Sequence, residues 1–325
     1  MSEGLRIAVI GAGAIGRVHA QTVASSSNAR LVAVCDPDEA RARDCAFSGA
    51  AAFGSVDAML ARNKVDGAIV ATPPNLHRSL SEQLALAGIH VLCEKPLAIA
   101  TGDARAMFRT ARSAGTLLTM AAKFRFVEDV RNVRSIILSG GIGETLLLEN
   151  AFTCSSPMKD RWNSDPTISG GGVIIDNGTH AIDLFRYVAG PLASVRAHEI
   201  RRFQALPVED TAVLEACCES GAVASSDLSW SIDKRLPYYL RIHGTTGSID
   251  LGWADSRLRR DGHWFSFGSG YSKTKSFAAV LENFIRAIRG EERPEVTEAD
   301  ALASVAAIEA AYRSMAEQSW LGIAA

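Results

Sequence analysis

The sequence has little of what marks disulfide-stabilised, zinc-binding, membrane or nucleic-acid-binding proteins. Its six cysteines in 325 residues include no C-x-x-C pair and no Cys/His grouping with zinc spacing, so we expect no metal site. The net charge is −2 and the basic residues are scattered, which argues against nucleic acid as a partner. No apolar run approaches membrane length. Met1 to Gly4 lead into a strand-like run without a signal-peptide pattern, so we expect a soluble, cytoplasmic protein.

Several common catalytic motifs are also missing. The chain has no G-x-S-x-G nucleophile elbow, no Walker lysine motif and no H-E-x-x-H helix. These absences argue against a serine hydrolase of that type, a P-loop nucleotidase and a zinc protease. The length is too great for one small core and suits two domains.

The first part of the chain alternates short apolar runs with segments of helical length. The apolar runs are residues 5–10, 31–35, 67–71, 89–93 and 117–121, and the clearest helical segments are 75–87 and 101–114. This alternation predicts an α/β domain of the Rossmann type, a doubly wound parallel sheet with helices on both faces, over residues 1–122.

The pattern changes after Lys123. A helix over residues 127–139 precedes longer strand-like segments at 144–154, 192–203, 211–218, 222–230 and 238–243, and two amphipathic helices follow at 277–289 and 298–315. The sequence therefore predicts a second α/β domain, residues 123–325, built on a large, mainly antiparallel open sheet.

A glycine fingerprint follows the first apolar run directly. Gly11 permits a tight turn, Gly13 lets the backbone approach a pyrophosphate, and Gly16 allows close packing of helix on strand. Ala14 and Ile15 begin the helix, whose N-terminus would face the phosphates with its N–H groups. Strand, turn and helix occur in the order that dinucleotide binding requires.

Asp36 ends the second apolar run, twenty residues after Gly16. At that spacing a carboxylate accepts hydrogen bonds from the adenosine ribose and repels a 2′-phosphate, which favours NAD over NADP. Arg41 and Arg43 nearby keep NADP open. The alternative role is a helix N-cap, because Pro37 follows at a suitable first helical position.

Two further strand ends carry polar residues. Thr72 and Pro73 follow the third major strand, Asn75 can cap the next helix, and His77 is either a cofactor contact or a surface histidine of the first turn. Glu94 and Lys95 follow the next strand, where ligands bind in open α/β sheets. Lys95 is therefore predicted to place a cation beside a nicotinamide ring, the alternative being a surface lysine before Pro96.

In the second half, a triple glycine precedes three titratable residues. If residues 176–188 are helical, Asp176, His180 and Asp183 share one face, and Gly170 to Gly172 let the backbone turn sharply towards a ligand. A histidine on an apolar helix is usually a core residue. Burying this one together with two flanking carboxylates would cost free energy, which favours a functional role.

These motifs, in this order, resemble the Gfo/Idh/MocA family, named for glucose-fructose oxidoreductase and inositol dehydrogenase. The resemblance covers the Gly11 fingerprint through His19, Thr72-Pro73 with His77, and residues 87–96, 170–183, 244–248 and 294–300. It implies hydride transfer between NAD(P) and a secondary alcohol or ketone of a sugar, a polyol or a sugar nucleotide. It also implies a homo-oligomer joined through the C-terminal sheet.

The resemblance assigns Lys95, Asp176 and His180 to the family's lysine, aspartate and histidine. His180 would take the hydroxyl proton and Lys95 would stabilise the alkoxide, although Lys95 is an alternative proton acceptor. Asp176 either orients the imidazole or holds a neighbouring substrate hydroxyl. Candidates for substrate selection are the segment 153–165, which contains Trp162, and the turn 123–126, which contains Arg125. Asp183 is a further candidate for substrate binding. A deoxysugar ketoreductase and a non-catalytic NAD-binding regulator are the alternative functions.

Overall fold

The structure, a computed structural model, describes residues 4–323, so the expectation for Met1 to Glu3 lies outside the described residues. The chain divides into two compact units. The first contains residues up to Lys123 and Lys273–Ala301, and the second contains Phe124–Ser272 and the residues from Leu302 onwards. Across the described part, no helix is both long and apolar enough to cross a membrane.

The first unit is built on a six-stranded sheet. Its strands are β1 (Leu5–Ile10), β2 (Ala29–Cys35), β3 (Ala51–Phe53), β4 (Gly67–Val70), β5 (His90–Glu94) and β6 (Leu118–Ala121). They are all parallel, in the order β3-β2-β1-β4-β5-β6. Strand order reverses between β1 and β4, which is where doubly wound sheets bind ligands. The predicted Rossmann sheet is confirmed.

Helices cover this sheet. They are α1 (Ala14–Ala24), α2 (Glu39–Cys45), α3 (Val56–Leu60), α4 (His77–Leu86), α5 (Thr101–Ser113) and, from far along the chain, α9 (Lys273–Ile288). Phe277 and Phe284 of α9 are buried, and the Phe277 ring meets His19 of α1 edge to face. The division predicted from sequence, 1–122 and 123–325, did not include this return of residues 273–301, because an amphipathic pattern does not say which sheet a helix covers.

The second unit is built on a nine-stranded sheet. Its strands are β7 (Thr145–Thr153), β8 (Leu192–Glu199), β9 (Thr211–Cys218), β10 (Val223–Ser229), β11 (Tyr238–Gly244), β12 (Gly247–Gly252), β13 (Ser256–Arg260), β14 (His263–Gly268) and β15 (Leu321–Gly322). The order is β14-β13-β12-β11-β7-β10-β9-β8-β15, and only β7 and β10 pair in parallel. The predicted mainly antiparallel sheet is confirmed.

This sheet has one covered and one open face. Along β7, Leu148, Asn150 and Phe152 are buried, whereas Leu147 and Glu149 are not. Such alternation follows from the two-residue period of a strand. The helices of this unit are α6 (Glu128–Leu138), α7 (Pro166–Ser169) and α8 (Thr179–Ala189), and α10 (Glu298–Glu317) has residues in both units.

The sequence analysis missed the strands at one edge of this sheet. β13 and β14 form a hairpin whose residues 259–266 are all exposed, so no alternation of buried and exposed side chains marks it. Short elements such as β3 and α3 were missed for the related reason that three to five residues give too little periodicity. The segment predicted as a strand over 192–203 ends earlier, at Glu199.

Candidate active site

The glycine loop after β1 has the geometry that its three glycines predicted. Gly11 has a φ of 97°, and a Cβ there would lie 2.6 Å from the Ala71 carbonyl oxygen. A Cβ on Gly16 would lie 1.8 Å from the Gly11 carbonyl oxygen, whereas a Cβ on Gly13 would meet nothing within 4 Å. The protein's own backbone therefore requires Gly11 and Gly16, and Gly13 borders open space.

That open space lies at the start of α1. Gly13 is the N-cap residue, and no side chain caps the helix. An uncapped helix N-terminus presents N–H donors and a positive dipole end, which suits a phosphate. The loop therefore fits the pyrophosphate of a dinucleotide, with Ala14 and Ile15 in the first turn.

Asp36 follows β2 and reaches back to the glycine loop. Its Oδ2 accepts a hydrogen bond from Ala12 N at 2.7 Å, and its Oδ1 accepts one from Asp38 N at 2.9 Å. The N-cap alternative for Asp36 is wrong, because α2 begins at Glu39 and the side chain of Asp38 accepts bonds from the first-turn amides. Asp36 thus lies against the fingerprint, where a ribose carboxylate is needed, and its contact with a ribose stays a prediction.

The loop after β4 differs from the prediction in two respects. Asn75 lies within a 3₁₀ turn, Pro74–Leu76, and makes no capping bond to α4, whose N-cap position is Leu76. His77 is only 1% exposed and is not a surface histidine. Its Nδ1 lies 2.9 Å from the Pro96 carbonyl oxygen and its Nε2 lies 2.9 Å from the Thr72 carbonyl oxygen.

His77 therefore joins two strand ends instead of facing solvent. Burial lowers the pKa of this histidine, although its carbonyl partners and the charge of Glu94 act in the opposite direction. The Thr72 hydroxyl oxygen is buried and has no hydrogen-bond partner in the described chain. A buried hydroxyl without a partner is unusual.

Lys95 follows β5 and its backbone is held on both sides. Glu94 Oε2 accepts a hydrogen bond from Lys95 N at 3.1 Å, and Glu94 Oε1 lies 2.8 Å from Nε2 of the buried His19. Burial tends to raise the pKa of Glu94, but His19 and the nearby lysines lower it overall. On the other side, the Pro96 carbonyl oxygen is bonded to His77. Hydrogen bonds therefore hold the backbone on both sides of the half-buried lysine.

In the second unit, the helix predicted over 176–188 is present but is not α-helical throughout. Residues Ile174–Gly178 form a π-helical turn and α8 begins at Thr179. The α-helical spacing from which one shared face was predicted for Asp176, His180 and Asp183 therefore does not apply across the turn. π-Helical turns occur frequently at functional sites.

Asp176 and His180 are both half-buried. The His180 ring lies edge to face on Phe124 and on Phe152, with centroids 5.2 and 6.1 Å apart. Burial raises the pKa of the Cys154 thiol, and the charges of Asp176 and Asp233 raise it further, which places the Asp176 carboxylate near Cys154. Aromatic contacts thus orient the imidazole, and the catalytic roles of both residues stay predictions.

Asp183 turns into the core. Its carboxylate accepts from Arg125 Nε at 2.9 and 3.0 Å and lies 2.7 Å from Arg125 Nη2. Both residues are 3% exposed, and the Arg125 guanidinium also lies 5.1 Å from the Tyr187 ring centroid. This burial favours a structural ion pair over the predicted contact with substrate. Trp162, in contrast, is 43% exposed in a 3₁₀ turn, Trp162–Ser164, and its contact with substrate stays a prediction.

The glycine run before these residues was interpreted as an approach to a ligand, and the structure gives another reason for it. Gly170 ends α7 with a φ of 81°. A Cβ on Gly171 would lie 2.0 Å from the Tyr312 hydroxyl, and one on Gly172 would lie 2.0 Å from the Glu209 carbonyl oxygen. Parts of the protein itself occupy this space. Sequence analysis missed Glu209 and Tyr312, which no local motif connects to the glycines.

The sequence and the structure were compared with known proteins. Residues 5–122 match the profile of an oxidoreductase family with an NAD-binding Rossmann fold, and residues 130–250 match the Gfo/Idh/MocA C-terminal domain. The chain belongs to the Gfo/Idh/MocA family. It is therefore a member of an NAD-binding family of oxidoreductases, as the resemblance implied, and NAD is the cofactor.

Individual proteins resemble the chain over almost its full length. It is 28% identical over 312 residues to the rhizopine catabolism protein MocA of Rhizobium meliloti, covering 94% of this chain and 93% of that protein. It is 28% identical over 343 residues to inositol 2-dehydrogenase of Rhizobium meliloti strain 1021, covering 98% and 99%. The structure of GenD2 from gentamicin A biosynthesis, in complex with NAD, superposes with a TM-score of 0.87 and 28% identity, covering 100% and 98%.

Proposed function

We propose that this protein is an NAD-dependent dehydrogenase that oxidises a secondary alcohol of a sugar or polyol, and reduces the corresponding ketone in reverse. The observation that carries the proposal is the rigid placement of Lys95 at the carboxyl end of β5, in a unit whose glycine loop fits a dinucleotide. The relative named inositol 2-dehydrogenase supports a polyol or sugar substrate.

The chemistry assigned to each residue follows from its type. NAD supplies the hydride acceptor when it is bound. Lys95 stabilises the developing alkoxide, and a fixed cation in that role is worth about 3 kcal/mol, by analogy with one oxyanion donor. His180, which contacts two aromatic rings, takes the hydroxyl proton, and Asp176 orients the imidazole or holds a neighbouring substrate hydroxyl.

Lys95 is the alternative proton acceptor. A substitution of His180 distinguishes proton transfer to His180 from proton transfer to Lys95. If His180 is the base, His180→Asn should flatten the lower limb of the pH profile of kcat/KM for alcohol oxidation. A variant that keeps the parent rate and profile would assign the proton to Lys95.

The remaining site assignments concern binding. We propose that Gly11, Gly13 and Gly16 hold the pyrophosphate, that Asp36 holds the ribose, and that Thr72 and its neighbours border the nicotinamide half. Trp162 is an exposed candidate for substrate selection, whereas Arg125 and Asp183 bind each other.

We also propose a homo-oligomer joined through the open face of the nine-stranded sheet, and a cytoplasmic location as predicted from the sequence. Leu147 and Val223 are register partners on β7 and β10, and both are exposed on that face. Contiguous exposed apolar patches mark interaction sites, and these two neighbouring side chains would be part of such a patch. Sedimentation of the parent and of Leu147→Glu tests the oligomer, and a monomeric parent would contradict it.

The decisive experiment for the function is a panel of polyols, sugars and sugar nucleotides, tested with NAD and NADH while the nicotinamide absorbance is followed. Steady turnover of a sugar or polyol with NAD is expected. Turnover of a ketosugar nucleotide alone would favour the ketoreductase alternative. NAD binding without any turnover would favour the regulator.

A further inference from the structure

The helix that leads into α8 starts in an unusual way. The first amides of any helix lack partners within the helix, and a nearby side chain of the preceding turn normally caps them. Here the cap comes from Glu209, which is 37 residues away from Gly172 in sequence. Glu209 Oε1 accepts from Gly172 N and from Ile174 N, both at 3.0 Å, and the Glu209 backbone oxygen accepts from Val173 N at 2.9 Å.

Tyr312 of α10 satisfies the next amide. Its hydroxyl accepts a hydrogen bond from Ile175 N at 3.2 Å and donates one to Glu209 Oε1 at 2.7 Å. The close approach is possible only because Gly171 has no side chain, since a Cβ would lie 2.0 Å from that hydroxyl. Two residues from distant parts of the chain therefore satisfy four consecutive amides.

The pKa shifts of Glu209 and Tyr312 are consistent with these hydrogen bonds. Glu209 is 4% exposed, and burial raises its pKa although four hydrogen bonds lower it. Burial and the neighbouring Glu209 raise the pKa of Tyr312 well above its ordinary value, so the hydroxyl keeps its proton and remains a donor. A carboxyl group also suits the positive end of the helix dipole.

We infer that Glu209 and Tyr312 are positioning residues that hold the π-helical turn and so set where Asp176 and His180 present their side chains. The inference rests on the proposed catalytic roles of those two residues. Asp176 lies within the capped turn, whose shape departs from an α-helix, and His180 follows one turn later. Misplacement of a reacting group by about 1 Å is enough to lower a rate strongly.

The main test is Tyr312→Phe, which removes the hydroxyl and keeps the ring. With the substrate found in the panel, kcat should fall about 10-fold or more. The dissociation constant of NAD should change less than about 2-fold, because the glycine fingerprint lies in the other unit. The matched control is Ser314→Ala on the same helix, whose hydroxyl accepts from Ala197 N at 2.9 Å and does not contact the turn. The control should keep kcat.

Glu209 gives a second, independent comparison. Glu209→Gln keeps an oxygen acceptor for the two amides and for Tyr312, so it should retain most of the turnover. Glu209→Ala should lose it. Loss of turnover in the glutamine variant to the same extent as in the alanine variant would contradict positioning by hydrogen bonds.

Hydrogen–deuterium exchange makes the test independent of the substrate. In Tyr312→Phe, exchange over residues 170–180 should become faster, while the Ser314→Ala variant should exchange there like the parent. Unchanged exchange would overturn the inference, and so would faster exchange with an unchanged kcat. If exchange becomes faster in Tyr312→Phe but the parent protein turns over no compound of the panel, the two proposals separate. That result would support the role of Tyr312 in holding the helical turn and would overturn the proposed function.

Discussion

The buried pair Arg125–Asp183 permits a sharp test, because sequence analysis assigned both residues to the substrate and the structure pairs them with each other. We consider Asp183→Asn, which keeps the size of the side chain and removes its charge. The two side chains are 3% and 4% exposed. The variant therefore leaves a guanidinium charge that water barely reaches.

The magnitude follows from this burial. An exposed ion pair contributes about 0.2–1 kcal/mol, but removing one partner of a buried pair typically costs about 3–5 kcal/mol. One amide oxygen still accepts from Arg125, so we expect a loss near the lower value, about 3 kcal/mol. For a unit of this size that corresponds to a melting temperature lower by about 6–12 °C.

Thermal and urea unfolding measure the loss, and the KM of the substrate found in the panel is measured beside it. Glu317→Gln is the matched control, because Glu317 forms an exposed ion pair with Arg313 in the same unit, and it should change stability by less than about 1 kcal/mol. Replacing both Arg125 and Asp183 by leucine should cost less than the sum of the single changes. An Asp183→Asn variant that melts like the parent and raises KM would refute the structural reading and restore the substrate contact.

Three further predictions concern the first unit. Lys95→Ala should lower kcat at least ~100-fold with little change in NAD affinity by fluorescence titration. Lys95→Arg should not restore kcat fully, since a planar guanidinium cannot occupy the place of a compact ammonium. Asp36→Ser should weaken or reverse the preference for NAD; tighter binding of NADP by the parent would contradict the ribose role. Because burial lowers the pKa of His77 below its ordinary 6.5, the unfolded chain binds more protons at acidic pH. Stability in urea should therefore fall as pH drops below about 6.5, and less so in His77→Gln.

The sequence by itself determined those features whose cause lies among neighbouring residues. Gly11 turns with a positive φ of its own and Gly16 packs against the nearby Gly11 carbonyl, so the fingerprint was interpretable as it stood, although the approach of Ala71 to Gly11 was not. The same holds for the alternation of strands and helices, which follows from the periods of local structure. Lys95 at a strand end was predictable for this reason, because the end of an apolar run marks the end of a buried strand.

Tertiary structure alone decided the features that join distant parts of the chain. Asp183 was predicted on a ligand-facing stripe, but its partner Arg125 lies 58 residues away, and a helical wheel does not contain it. His77 was predicted to be either a cofactor contact or a surface histidine, yet it is buried and bonded to the carbonyl of Pro96, 19 residues on. The triple glycine suggested a ligand, whereas Glu209 and Tyr312 fill its space. These three arrangements depend on which polar groups the folded chain brings into contact. A buried polar group needs a hydrogen-bond partner, and that partner can come from any part of the chain.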